Sequence, residues 1–523
     1  MSQRTGQPAN HAAGASPTEA ALQAESGVST TPPTKPMGDV VVRGAAWTSI
    51  AWGIGTVASL GAQLVLGWKL SKEDFARLGT IMTIAVLFTT LADAGLRKVL
   101  VSRPREIGVN AWPAFVIALI FNSIVVLALL SFTRWGAPAY FGRDDLMPLA
   151  WMFAAMIFVG SFGVSQSAIL SIDQRFKWVA GVTAVGNVGR HLAVVILAFA
   201  GVGVYAYVVP MVLILFFNLA ASLYQVGWIP RRPAPASVYR SMLRGSAWIQ
   251  VGAFAAMLAM TGDYWVGGRA LSEADFGLYY FGFQLAQSAS AAVSSVLISV
   301  LTPTFALLHQ DADRRRGAVR SSNSLVSSLL MLATLLGVMI SPLAVHLVWH
   351  GKWDGSIIVV QAVMPLLWSR SLFTIGQSVL DAGAHWILSL VLTLAYSATL
   401  VGGAVLGVWL GGFGGFLAAV AAAHLLNTLA TNLLATRLVG CTTSQWTRDA
   451  LLPLVVALSV FLTYAAATWM THRPLTSPWW SAAWSPAVGG VYVALLALVS
   501  PSHWEQVKNL ASRFKRTSQK ESA

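Results

Sequence analysis

One cysteine, Cys441, stands among 523 residues, which excludes an intramolecular disulfide and any cysteine-based metal cluster. Charge is also scarce. Asp, Glu, Lys and Arg make up 10% of the chain, against about 25% in an ordinary soluble domain, too few to dress a water-facing surface. Acidic residues are the rarer sign: 20 against 34 Lys and Arg, for a formal charge of +14. No Gly-x-x-x-x-Gly-Lys-Ser/Thr occurs, so the chain carries no phosphate loop for ATP-driven work. No His-x-x-Glu-His zinc motif occurs either. The segments between apolar runs on one side are short, which leaves no room for the acceptor domain of a membrane polymerase or ligase. These absences point away from an enzyme and from a need for cofactor or metal.

What is abundant is apolar residue. The chain is 56% hydrophobic with a mean hydropathy of +0.66, so the bilayer is its expected solvent. The basic residues fall in short clusters between apolar runs, a pattern of membrane orientation rather than of a nucleic-acid face. Residues 1–40 carry no apolar run and read as a disordered cytoplasmic tail without a signal peptide. Apolar stretches of roughly 20 residues recur about fourteen times. With the N-terminus inside, the cytoplasmic segments hold roughly threefold more Lys and Arg than the opposite side. The expectation is an all-α polytopic membrane protein with about 14 transmembrane helices and both termini cytoplasmic. Trp135, Trp178, Trp228, Trp349, Trp353, Trp479, Trp480 and Trp484 are expected to form an aromatic belt.

Residues 43–75 read RGAAWTSIAWGIGTVASLGAQLVLGWKLSKEDF and residues 244–276 read RGSAWIQVGAFAAMLAMTGDYWVGGRALSEADF. The two align at an offset of 201 residues without a gap, from Arg43 and Arg244 to Phe75 and Phe276. This is an internal duplication. Six spans per copy is an even number, so the copies are expected to be parallel and to enclose a central cavity. The organisation expected is a tail (1–40), a first six-helix bundle (41–228), a cytoplasmic linker (229–243), a second bundle (244–440), two additional helices (441–500) and a basic cytoplasmic tail (501–523). Ser71 and Ser272 are placed to cap the helices that follow, with Glu73, Asp74, Glu273 and Asp275 on their positive ends.

The openings of the two copies, with AILSIDQRFKWVAGV (168–182), DYWVGGRALSEADFGLYYFGFQLA (263–286) and GKWDGS (351–356) in order, resemble the oligosaccharide flippase, Wzx-like polysaccharide transporter family. That family lies in the multidrug/oligosaccharidyl-lipid/polysaccharide exporter superfamily. The resemblance covers about residues 43–440. It implies a bacterial inner-membrane protein that carries a polyprenyl-pyrophosphate-linked oligosaccharide across the bilayer for exopolysaccharide, capsule or O-antigen synthesis. The partners implied are membrane lipids, a polysaccharide polymerase and chain-length or export proteins. A peptidoglycan lipid-precursor flippase or a cation-coupled drug exporter of the same superfamily is the alternative.

Ionisable residues inside spans are costly and mark function by default. Arg190, in AVGNVGRHLAVV, and Arg370, in MPLLWSRSLFTIG, are candidate cavity cations for a pyrophosphate. The alternative is a structural ion pair for Arg190 and a helix–helix hydrogen bond to neighbouring backbone or serine for Arg370. Asp93 stands four residues before Arg97, so on one helix the two would pair or serve as a coupling site. Asp263 replaces Ala62 of the first copy and is expected to pair with Arg269 or to bind a coupling cation. His191 and His424 read as hydrogen-bonded structure.

Overall fold

The computed structural model describes residue 55 and residues 58–505, apart from positions 94, 230, 233, 309, 310, 473, 502 and 504. The expected tail (1–40), the Arg43 end of the first copy and residues 506–523 lie outside the described residues.

Every described element is helical. In hydrocarbon no water satisfies an exposed backbone N–H or C=O, so a chain this apolar closes its backbone bonds within each segment. The first copy begins with α1 (58–69) and α2 (Lys72–Asp93). It continues through α3 (Ile107–Ser131), α4 (Met147–Gly160, extended by a 3₁₀ turn into Val164–Ile172), α5 (Phe176–Phe199) and α6 (Tyr205–Val226). The second comprises α7 (Ala236–Ala270), α8 (Glu273–Leu307), α9 (Ala312–Trp349), α10 (Leu366–Ala382), α11 (386–410) and α12 (413–438). Two more helices follow, α13 (Leu452–Met470) and α14 (Pro478–Val499). Between α11 and α12 the backbone leaves helical geometry at Gly411 and Gly412. Among the described residues, 10 continuous helices are long and apolar enough to cross a membrane, with α11 and α12 taken as one. Even the 22 residues of α2 reach about 33 Å at 1.5 Å per residue, the thickness of the hydrocarbon core.

The duplicated turns form as their sequence dictates. Asp74 N donates to Ser71 Oγ at 3.1 Å and Ser71 N to Asp74 Oδ2 at 3.0 Å. Asp275 N donates to Ser272 Oγ at 3.1 Å in the second copy. Each serine thus satisfies an orphan N–H of the next helix and sets the sharp corner between α1 and α2, or α7 and α8.

The two copies meet along α2 and α8, and equivalent positions touch. A methyl group at Gly277 would lie 2.1 Å from the carbonyl oxygen of Lys72 and 3.4 Å from Ala76 N; Ala76 is the first-copy equivalent of Gly277. One turn along, a methyl at Gly79 would lie 2.9 Å from the ring of Tyr280, its own equivalent. Self-matching of this kind is the geometry of an isologous contact. Lipid tails are as apolar as leucine, so helices in a bilayer gain little from hydrophobicity on meeting. Close approach of small residues supplies the attraction.

At the turn end of the bundle each copy braces the other. Trp349, at the end of α9, donates to Leu64 O at 3.1 Å, and Trp353 to Gly67 O at 2.8 Å. Lys352 Nζ donates to the carbonyls of Gly67, Trp68 and Leu70 at 3.1, 3.0 and 2.6 Å. The unpaired carbonyls that end α1 are therefore capped by an ammonium from the other copy, as the helix dipole favours. Phe281 stacks on Trp353 at 3.9 Å, and Phe75 meets both edge-on. On the other side Phe141, at the end of the α3 rod, covers Gly268, and Arg143 reaches Glu273 in the first turn of α8 at 2.9 Å. Trp349 and Trp353 are 4% and 0% exposed, so they are not members of the aromatic belt. Their indole N–H groups find carbonyls inside the seam instead of headgroups. Trp135, Trp228 and Trp479 remain on the surface.

The last two helices pack on the second copy. Tyr492 of α14 donates to Ser328 O at 3.0 Å, Ser327 of α9 to Ala450 O at 2.7 Å, and Arg320 forms a two-pronged pair with Asp449 at 2.7 and 3.3 Å.

Overpacking a close helix contact costs about 1–3 kcal/mol. Gly277→Ala should therefore lower the melting temperature of the detergent-purified protein and broaden its size-exclusion peak. Gly61→Ala, where a methyl meets nothing within 4 Å, should do neither.

Candidate functional site: a cavity between the copies

Beneath the brace lies a cavity of about 370 Å³ walled by α1, α2, α5 and α6 of the first copy and α8 of the second. Toward the turn end its wall is apolar, with Leu66, Phe75, Leu78 and Val194. Away from that end it becomes polar through Ser59, Gln63, Asn187, Gln287 and Ser288. Arg190 enters this wall from α5. Its sequence explains the space around it. Asn187, Arg190, His191 and Val194 follow one another at helical spacing and form the face of α5 that lines the cavity, while Gly186 at the edge of that face receives the Ile214 side chain of α6. The guanidinium lies 3.1 Å from His191 Nε2 and its Nε has no partner. Among the described residues no carboxylate lines the cavity.

Arg370 does not line this space. It stands on α10 in the second copy, within electrostatic reach of Asp263, Tyr264, Tyr396 and His424. The two arginines therefore occupy separate environments in this conformation. Asp263 is 1% exposed; its Oδ2 accepts from the Tyr279 hydroxyl, while Oδ1 has no partner. The expected pairing with Arg269 does not form. Arg269 closes the last turn of α7 with its side chain exposed, whereas Asp263 faces α8. Around the carboxylate, Tyr264 meets Tyr279 and Phe283 edge to face, as Tyr279 does Phe416, and Tyr279 and Phe283 pack tilted. Tyr396 hydrogen-bonds to His424 Nδ1, and His424 Nε2 is buried without a partner.

Asp93 and Arg97 do not pair. Gly95 takes φ 65° and ends α2, so Arg97 begins a new short helix, Leu96–Ser102, and the four-residue spacing no longer places the two on one face. Arg97 donates instead to Ser171 Oγ at 3.0 Å.

The glutamines are the part that the sequence alone did not single out. Gln63, Asn187, Gln284 and Gln287 all line the cavity. The available signal was the spacing of Gln284, Gln287 and Ser288 along one face of an apolar helix.

A buried acceptor deprived of its donor costs about 1–3 kcal/mol. Tyr279→Phe should thus destabilise the protein by about 2 kcal/mol. Combined with Asp263→Ala, which restores the residue of the first copy, it should cost less than the two single changes together. Thermal unfolding of the four proteins in detergent checks this; strictly additive losses would show that the hydroxyl and the carboxylate are not coupled.

The polysaccharide biosynthesis protein family matches residues 65–358. No curated protein sequence matches the chain. Among solved structures, the lipid II flippase MurJ in an inward closed conformation is similar at 12% identity and a TM-score of 0.64, covering 86% of this chain and 98% of its own. A multidrug resistance MATE family transporter of the MOP superfamily in an inward-facing conformation is similar at 13% identity and a TM-score of 0.58, covering 74% and 94%. At such identities the likeness shows the fold alone. The matched residues run from the C-terminal half of α1, through Arg190, Asp263 and the brace, to a point short of α10 and Arg370, and with this fold they make the chain a multi-pass membrane protein that belongs to the polysaccharide biosynthesis protein family.

Proposed function

We propose that this protein is a flippase that moves a polyprenyl-pyrophosphate-linked oligosaccharide across the bacterial inner membrane, by alternating access between its two helix bundles. The observation that carries this reading is Arg190, a cation in a cavity walled by both copies, with no carboxylate beside it among the described residues. A charge in that position is expensive unless an anion meets it. A pyrophosphate is such an anion. The family match supports cargo of polysaccharide synthesis, and the fold supports a transporter rather than an enzyme.

In this reading the chain crosses the membrane fourteen times. The ten long apolar helices contribute eleven crossings, because the rod from Trp386 to Leu438 folds back at Gly411–Gly412; α1, α7 and α8 add three. The copies are parallel and both termini are cytoplasmic. The brace of Trp349, Lys352 and Trp353 then closes the outer face, and the cavity receives cargo from the cytoplasmic leaflet. Asp263, with Arg370 across from it, is the candidate site at which a coupling proton or cation acts on the second bundle. A polymerase and chain-length or export proteins would take the cargo onward.

Of the alternatives, a cation-coupled drug exporter fits less well, because a cavity with an arginine and no carboxylate repels a cationic drug. A peptidoglycan-precursor flippase would carry a similar anion and differs in its cargo.

Arg190→Gln should reduce surface polysaccharide at least about tenfold, an effect of the size expected for one charge-assisted contact, and the lipid-linked unit should accumulate in the cytoplasmic leaflet. Arg190→Lys should retain part of the activity. Normal polymer in the Gln variant would remove Arg190 from the mechanism. Build-up of murein precursor on depletion, with polymer intact, would favour the peptidoglycan alternative.

A further inference from the structure

Resting on the reading of this cavity as the transport site, we propose that its carboxamides form a recognition surface for an uncharged, hydroxyl- or acetamido-bearing sugar next to the anion held by Arg190. The residues are Gln63 on α1, Asn187 on α5 and Gln284 and Gln287 on α8, with Ser59 and Ser288 beside them.

Hydrogen-bond accounting leads to this class of ligand. The single proton of Ser288 Oγ is shared between Gln284 O at 2.8 Å and Gln63 Oε1 at 3.2 Å, and Gln63 Nε2 has no partner. Gln287 Oε1 has no donor, and Arg190 Nε has no acceptor. The walls thus present two unmet donors and one unmet acceptor within one small cavity. A prenyl tail satisfies none of them, and buried polar groups left unpaired are costly. A bare diphosphate satisfies donors but brings only oxygen acceptors toward the Gln287 carbonyl. A sugar hydroxyl both donates and accepts, and an acetamido group pairs with a carboxamide in both senses. The volume, about 370 Å³, is at the small end of ligand pockets. It suits a sugar ring or two, rather than a whole repeat unit with its lipid.

The duplication supplies an independent argument. At the offset of 201 residues, Ser59, Gln63, Gln284, Gln287 and Ser288 correspond to Met260, Tyr264, Thr83, Val86 and Leu87. The same helical scaffold is built in the other copy with apolar, aromatic or small side chains at those places. The fold does not require carboxamides there, so these side chains are an addition to one wall of one cavity.

The test uses the full-length protein in detergent and titration calorimetry with three soluble probes: citronellyl diphosphate, and the same diphosphate carrying glucose or N-acetylglucosamine. Wild-type protein should bind at least one sugar-bearing probe about tenfold more tightly than the bare diphosphate. Gln63→Met and Gln287→Met, close in shape to the native side chains, should each abolish most of that preference while leaving bare diphosphate binding within about twofold. Arg190→Gln should weaken all three probes alike. Gln287→Asn, which keeps the amide on a shorter stem, should retain an intermediate preference and serves as the readout should a Met variant fail to give a monodisperse protein. Equal binding of bare and sugar-bearing probes by the wild type, or a preference that survives both Met substitutions, would overturn the assignment while leaving Arg190 as an anion site. Binding of none of the probes would overturn the transport reading and this inference together.

Discussion

The structure depends on how closely two helices can approach when nothing but packing draws them together. In water, α2 and α8 would meet because their apolar faces expel solvent; in lipid that driving force is absent. The seam instead brings the Gly277 backbone onto the Lys72 carbonyl and the Gly79 backbone onto the Tyr280 ring. Neither position has room for a methyl group. From that contact the rest follows in order. The corners capped by Ser71 and Ser272 set where α1 and α7 leave the seam, and the aromatic brace ties their ends to the opposite copy. A cavity is left where α1 and α8 diverge beneath it.

The brace also shows how a duplicated chain diverges in chemistry while keeping its geometry. After the long third helix, each copy makes a left-handed glycine followed by a basic residue: Gly142 and Arg143 in one, Gly351 and Lys352 in the other. Both basic side chains cross to the other copy at the same corner. Lys352 ends on helix carbonyls, and Arg143 on a glutamate. Lys352 is held partly out of water, which pulls its pKa below the ordinary lysine value, and Asp74 opposes that shift. An ammonium spread over three carbonyls offers a contact that can be exchanged for water one bond at a time. In the proposed alternating-access cycle such a contact suits a face that opens and closes better than a fully buried ion pair, whose rupture leaves an uncompensated charge.

How much was legible depended on whether a feature is local. The caps at Ser71 and Ser272 were readable because they involve residues three apart, and the duplication was readable because it is a property of the string. Asp93 and Arg97 misled because Gly95 can continue a helix or end it, and only the packing of Ile249 against Gly95 fixes the choice. Trp349 and Trp353 lie at the depth expected of belt residues, but depth along a helix says nothing about which way a side chain faces. The same gap separates Arg190 from Arg370. Sequence position gives each a height in the bilayer, whereas the azimuth that sends one to the cavity and the other to the Asp263 cluster comes from the neighbours of α5 and α10. A lone carboxamide in a span reads as a helix–helix contact, and the four here, three glutamines and Asn187, become a surface only when α1, α5 and α8 are brought together.

The separation of charges bears on mechanism. An anion site and a buried carboxylate in one pocket would neutralise each other, and neither would be available to cargo or to a coupling ion. Here the seam keeps them apart: Arg190 belongs to the first copy's side of the cavity, and Asp263 lies behind α8, bonded to Tyr279 on the same helix that carries Gln284 and Gln287. The two sites are linked through α8, whose one face lines the cavity while another meets the carboxylate; in the proposed function the first of these faces meets the cargo. Because α8 is also half of the close-packed seam, any tilt that changes the Tyr279–Asp263 contact must be accommodated where Gly277 meets Lys72. In the proposed function, coupling between a charge on Asp263 and the shape of the cavity would run along a single helix with two faces, and the absence of a side chain at Gly277 is what lets that helix sit so close to α2.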